Sequence, residues 1–164
     1  INGAGRYYRG ADFQTGARFL TDNAGDFFVN LSIAYVDDER RSDTPGDPYV
    51  TIMEQERRLR SRSYLSASWT KNDWAAGVST SRIGSMNYQS PRWDGKPNTK
   101  IDPYYDIGAF VRYDIEDGHY VALSVSNLMD DVPKKNSDLG WPWFATYYYS
   151  PVGRELFLTY RYTF

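Results

Sequence analysis

The chain has no cysteine, a single histidine and no long apolar run. Without cysteine there is no disulfide scaffold and no thiol chemistry. The histidine, His119, has no second His or Cys to complete a typical metal site, so a polar residue at a rim outweighs a catalytic base or metal ligand. No stretch approaches the roughly 18 apolar residues that a membrane helix needs, which excludes helical spanning. A β-barrel is not excluded, because its strands need only about 9–11 alternating residues. An excess of one charge sign is also missing. The net charge is −2 and the pI about 5.4, which argues against a nucleic-acid partner. The opening residues Ile1-Asn2-Gly3-Ala4-Gly5-Arg6 lack the charged-then-apolar order of a signal peptide. For an exported protein that points to a mature or internal piece.

Acidic groups exist, but not in a metal-binding order. Asp37-Asp38-Glu39 and Asp130-Asp131 lack the glycine-containing alternating loop of an EF-hand and read as solvated loop charge. No nucleophile–base pair stands out. The expectation is therefore no metal, no cofactor and no enzymatic activity.

What the chain has in abundance is aromatic side chains, 17% of the whole, among 24% charged residues. The mean hydropathy is −0.65. That mixture suits a sheet with one greasy and one wet face. The spacing agrees, because apolar residues recur with period two nearly throughout. About seven strands follow. Tyr7, Ala11, Phe13, Ala17 and Phe19 share one parity in residues 6–20. Phe27, Val29, Leu31, Ile33 and Tyr35 do so in the second segment. Leu59, Leu65, Ala67 and Trp69 mark the third, and Trp74, Ala76, Val78 and Thr80 the fourth. Tyr105, Ile107, Ala109, Val111, Tyr113 and Ile115 mark the fifth. Val121, Leu123 and Val125 mark the sixth, and Leu156, Leu158, Tyr160, Tyr162 and Phe164 the last, where Phe157 breaks the pattern.

The connections alternate in length. Short turns lie at Asp22-Asn23-Ala24-Gly25, Lys71-Asn72-Asp73 and Glu116-Asp117-Gly118. Long polar stretches lie at about 37–56, 87–103 and 130–152. Outer-membrane barrels combine short periplasmic turns with long extracellular loops. A soluble antiparallel sheet with one solvated face has no reason to keep such order. The expected fold is all-β, an antiparallel transmembrane β-barrel segment. With seven antiparallel strands the first and last run the same way and cannot close on each other. An open edge is not viable in lipid, so further strands must come from elsewhere. An eighth strand within residues 49–53 or 143–149 would alter that parity. Long loops outside put the C-terminus on the periplasmic side.

Motifs at both ends narrow the reading. Val125-Ser126-Asn127-Leu128-Met129-Asp130-Asp131-Val132-Pro133 resembles the "NLFD…P" element of TonB-dependent outer-membrane receptors, with Met129 in place of the usual Phe. Tyr149-Ser150-Pro151-Val152-Gly153-Arg154-Glu155 resembles the family's "Y…GR" approach to the last strand. Leu158-Thr159-Tyr160-Arg161-Tyr162-Thr163-Phe164 resembles the aromatic-ended signal of outer-membrane barrels. Tyr8-Arg9-Gly10-Ala11-Asp12-Phe13 is similar to the family's "RGxE" strand, with Asp12 for Glu. The resemblance covers residues 1–164 as the C-terminal portion of such a barrel. It implies a 22-stranded barrel whose plug domain and earlier strands lie outside this sequence, in the bacterial outer membrane. It also implies import of a scarce extracellular ligand with TonB-supplied energy. The implied partners are the remaining barrel strands and plug, the TonB complex through the plug, the barrel-assembly machinery and outer-membrane lipid.

Site expectations follow from side-chain chemistry. Tyr88, Arg92 and Trp93 in one long loop, and Trp141 and Trp143 in another, are candidate ligand contacts, since aromatic faces stack on apolar or sugar-like surfaces. Arg58, Arg60 and Arg62 share one parity and read as lumen-facing charge, either steering an anionic ligand or pairing with carboxylates. By resemblance, Tyr160, Tyr162 and Phe164 form the barrel-assembly signal. Gly140-Trp141-Pro142-Trp143 resembles loops of members that take up carbohydrates or peptides, and siderophores stay open. Three competing readings are a self-contained small outer-membrane barrel (adhesin or pore), an outer-membrane hydrolase, and a soluble carbohydrate-binding β-module.

Overall fold

The computed structural model describes residues 5–53, 58–88, 99–116, 118–133, 141, 143, 144, 146 and 148–163, with the side chains of 87, 88 and 99 excepted. The chain is all-β and antiparallel. Its strands are β1 (Gly5–Phe19), β2 (Asp26–Ser42), β3 (Val50–Thr51), β4 (Ser61–Lys71), β5 (Trp74–Ile83), β6 (Met86–Tyr88), β7 (Thr99–Ile101), β8 (Tyr104–Asp114), β9 (Tyr120–Ser126) and β10 (Glu155–Arg161). Seven of them form a meander in the order β1-β2-β4-β5-β8-β9-β10. These are the seven strands that the alternation predicts.

β3 is the extra strand that could have changed the parity. It pairs Arg40 with Thr51 and Arg41 with Val50, on the far end of β2. β4 takes up the same edge lower down, from Tyr35 opposite Ser61 to Asp26 opposite Thr70. β3 and β4 are thus two stretches of one interrupted strand beside β2, and the sheet still ends on strands of like direction.

Here the structure also differs from the sequence expectation. The stretch expected as loop from residue 37 is strand as far as Ser42. A bulge explains the error. The register shifts between Arg9 and Gly10, leaving Asp37 without an opposed residue. A bulge inserts one residue and exchanges the faces beyond it. The period-two signal therefore breaks at Asp37 while the pairing continues. The tip is a tight turn, in which Ser42 Oγ donates to the carbonyls of Thr44 and Asp47.

Turns at one end of the sheet are short because local chemistry closes them. Asn72 takes φ +49 between β4 and β5, a left-handed conformation that asparagine tolerates. Thr21 Oγ1 accepts from Ala24 N–H and donates to the Gly25 carbonyl. The opposite end holds the longer connections, one of which contains the β6–β7 hairpin.

Register lays the side chains out in rows, since directly opposed residues share a face. One row runs Phe19, Phe27, Trp69, Ala76, Val111, Leu123, Leu158. The next runs Ala17, Val29, Ala67, Val78, Ala109, Val125, Leu156. Every member of both rows is apolar across all seven strands. Nothing in the described structure covers this face, and Val78, Leu156 and Leu158 are 57%, 69% and 76% exposed. The other face carries Gln14, Ser32, Tyr64, Ser81 and Asp106 in one row and Gly16, Asn30, Ser66, Ser79 and Gly108 in the next.

Among the described residues, the buried apolar cluster lies at the long-loop end rather than between layers. Met86 and Tyr149 are its centre, with Leu59, Ile83, Ile101, Tyr104, Phe144 and Tyr148 packed around them. It ties segments of all three long connections together.

Candidate functional site

The polar face is not uniformly polar. Arg18, Phe28, Ser68, Gly77, Phe110, Ser124 and Phe157 form one row across it, in which bulky and small side chains are interspersed. Phe157, which disrupts the alternation in the sequence, belongs to this row. It lies on the polar side of the sheet, as do Phe28 and Phe110. A trough of about 430 Å³ lies here, walled by Tyr64, Phe110 and Phe157 and floored by Gly77, Ser79, Gly108, Ser124 and Ser126. Ring faces beside hydroxyls suit a ligand or protein segment with both apolar and hydrogen-bonding surface. Alternation could not reveal it, because the aromatic members lie on three separate strands.

Charges on this face are paired locally. Arg112 Nη2 lies 2.9 Å from Asp114 Oδ2, and Arg18 Nη2 3.1 Å from Asp26 Oδ2. At the β1–β2 tip, Arg6 Nε donates to Glu39 Oε1 at 2.7 Å, and Arg58 Nη1 stands 3.6 Å from the same oxygen. Glu39 is 4% exposed, so its two guanidinium neighbours offset the cost of burying its charge. On the apolar face, Arg9 Nε donates to Asp37 Oδ2 at 2.7 Å.

Of the expected arginine triplet, Arg62 alone lies within β4, and Arg58 takes the carboxylate pairing that was one of its two readings. Arg58 and Arg60 precede β4, which begins at Ser61. Arg58 goes to Glu39, and the Arg60 carbonyl accepts from Val36 N–H at 2.8 Å. Arg62 lies within β4 on the polar face, opposite Ala34 and Ile83.

The loop aromatics are only partly placed. Trp141 is 82% exposed and Trp143 44% exposed, the latter with φ +71. Tyr88 ends β6 opposite Thr99, and its side chain lies outside the described residues. Arg92 and Trp93 also lie outside them. Trp141 and Trp143 thus lie in one segment, and their placement relative to the other three candidates falls outside the described residues.

The terminal strand has a specific partner. His119 Nδ1 lies 2.7 Å from the Tyr160 hydroxyl, and its ring is 4.2 Å, centroid to centroid, from that of Tyr162. Tyr160 opposes Val121 on the apolar face. His119 therefore joins the β8–β9 turn to the end of β10, a role absent from its reading as an isolated rim residue. Phe164 lies outside the described residues.

The NLMDD segment and the later Gly-Arg pair, far apart in sequence, meet. Asn127 takes φ +48 and is 4% exposed. Its Oδ1 accepts from Asp131 N–H at 2.9 Å, and its Nδ2 donates to the Asp131 carbonyl at 2.7 Å. Asp130 Oδ1 accepts from Arg154 N–H at 2.8 Å. A Cβ at Gly153 would stand 2.6 Å from that same oxygen, so only glycine leaves the carboxylate its place. The two motifs are halves of one fastening that fixes where β10 starts.

Among the described residues, no group of three His, Cys, Asp or Glu gathers to hold a metal, and no helix is long and apolar enough to cross a membrane. No family model matches this chain, and neither a curated protein nor a solved structure does.

Proposed function

We propose that this chain is a membrane-spanning wall segment of a bacterial outer-membrane barrel, of the kind that imports a scarce ligand with TonB-supplied energy. The observation that carries the reading is the pair of wholly apolar rows crossing all seven strands, with no layer over them among the described residues. In water such a face is a large aggregation-prone patch. In lipid it is the stable surface, and the opposite polar face then lines a lumen. This favours the wall over a soluble carbohydrate-binding module, which has no use for an uncovered greasy face.

The pairing order supports a part over a whole. Among the described residues, β1 is paired to β2 and β10 to β9, each on one side. In lipid, the free sides need further strands, and a plug inside the lumen would meet the polar rows. The receptor assignment rests on the motifs: the Asn127–Asp131 turn fastened to Gly153-Arg154 gives the resembling residues a shared physical purpose. No catalytic role enters this reading.

The test is fractionation and uptake. The complete barrel containing this chain is expected in the outer-membrane fraction, with a folded form that migrates differently from its heated form on a cold gel. Energy-dependent ligand accumulation should stop when TonB is removed. A soluble, monomeric product without detergent would reject the wall, and uptake indifferent to TonB would reject the receptor.

A further inference from the structure

The trough on the polar face is centred on Gly108. Along β8 its polar-face positions run Asp106, Gly108, Phe110: a carboxylate, a gap and a ring. Ser79 opposes Gly108 from β5. Ser126 flanks it from β9, since the preceding Val125 opposes Ala109. Ser81 opposes Asp106 and in turn Tyr64, while Ser124 opposes both Phe110 and Phe157. Neighbouring strands stand about 4.8 Å apart, so hydroxyl-bearing positions flank a bare patch about 10 Å across. A Cβ at Gly108 would come 3.2 Å from Ser79 Oγ and fill that patch.

Among the described residues no lysine or arginine lines the trough, and Asp106 is its one carboxylate. Asp106 Oδ1 accepts from Asn127 N–H at 3.1 Å, which fixes the carboxylate in place. Among the described residues the Ser79, Ser81, Ser124 and Ser126 hydroxyls have no protein partner. Each can donate one hydrogen bond and accept two. The trough thus combines three rings, a row of available hydroxyls and one fixed acceptor, with no cation.

A fitting ligand has an apolar face for the rings and hydroxyls around its edge. A sugar ring has both, with C–H groups on its faces and hydroxyls on its rim, and aromatic faces stack on such surfaces. A protein segment brings at most one hydroxyl per residue, a poorer match to four serines around one bare patch. An anionic ligand would meet Asp106 with no cation to offset the repulsion. The volume of about 430 Å³ is ordinary for a small-ligand site. Resting on the wall reading above, in which this face lines the lumen, we infer that the trough binds a neutral saccharide, one ring of which lies over Gly108 between Asp106 and Phe110.

The test uses the complete barrel in detergent with the neutral disaccharides maltose, cellobiose and lactose, and glucuronate as the anionic counterpart. Saturation-transfer NMR titrations read binding. At least one disaccharide is expected to bind and glucuronate is not. Phe157→Ala should weaken binding about tenfold, the scale of one aromatic contact, and Gly108→Val should abolish it by filling the floor. Asp106→Asn keeps an acceptor for Asn127 N–H and should admit glucuronate. Asn30→Ala, on the same face outside the trough, should leave binding unchanged. Disaccharide binding that survives both Phe157→Ala and Gly108→Val, glucuronate binding to the native barrel, or its continued refusal by Asp106→Asn overturns the inference. So does a Ser79→Cys barrel closed to a small thiol reagent before sugar is added, since a protein segment then occupies the trough. If Phe157→Ala or Gly108→Val fails to fold by cold-gel mobility, Asp106→Asn decides through its change of ligand charge. A barrel that inserts into phosphatidylcholine vesicles yet binds no disaccharide defeats only this inference. A barrel that inserts into no lipid defeats the wall reading and this inference with it.

Discussion

The ring of Phe110 stands over Gly77, its register partner on β5, so closely that a Cβ there would come 2.6 Å from Phe110 Cε1. A glycine inside a strand leaves backbone uncovered and weakens the strand. The ring covers that gap, and the gap gives the ring its seat. The two residues should therefore behave as one unit. Gly77→Val is expected to cost about 1–3 kcal/mol by overpacking. Gly77→Ala should cost clearly less in a Phe110→Ala background than in the native one. Urea unfolding of the lipid-embedded barrel measures the cycle, and simple additivity would show that the contact is incidental.

A second prediction concerns the fastening before β10. Asn127→Gly keeps the left-handed backbone but loses the side-chain bonds to Asp131, whereas Asn127→Ala loses both. Hydrogen bonds of this kind contribute about 0.5–1.5 kcal/mol each, so Ala should destabilise more than Gly. Asp130→Ala and Gly153→Val should both speed hydrogen exchange at the Arg154 amide. Protection there that survives Asp130→Ala would mean that the carboxylate is not the anchor.

The last strand separates assembly from binding. Phe164→Ala is expected to lower the yield of folded barrel without altering ligand affinity of the fraction that folds. Tyr160→Phe should act more weakly, losing the His119 bond but keeping ring area. Cold-gel mobility beside ligand titration reads both, and a normal folded yield for Phe164→Ala would remove the C-terminus from any assembly role.

Side-chain facing can be read position by position. Spin labels at cysteines replacing Val78, Val111 and Leu123 should meet lipid-soluble oxygen. Labels replacing Ser79, Arg112 and Ser124 should meet a water-soluble nickel chelate. Alternation with the opposite phase, or none, would invert or abolish the wall.

Much of this was legible in residue order because a half-buried strand imposes period two on its sequence. All seven meander strands carry that imprint. It fails at Asp37, where one inserted residue exchanges the faces, and a real strand reads as polar loop. Parity groups Arg58 and Arg60 with Arg62 although β4 begins only at Ser61, because parity says nothing of where a strand begins. It registered Phe157 as an exception without the reason, since the reason is a row shared with Phe28 and Phe110 on other strands. The motif residues Asn127, Asp130, Gly153 and Arg154 were recognisable as a pattern, whereas their mutual hydrogen bonds needed coordinates. Loop aromatics such as Trp141 have no periodic partner, so sequence could nominate them but not assemble them.

The cluster at the long-loop end also bears on how the connections move. Leu59, Met86 and Tyr149 belong to three different long connections and pack in one apolar knot. Close-packed side chains transmit strain. The three connections are thus mechanically linked, and a displacement of one is carried to the other two.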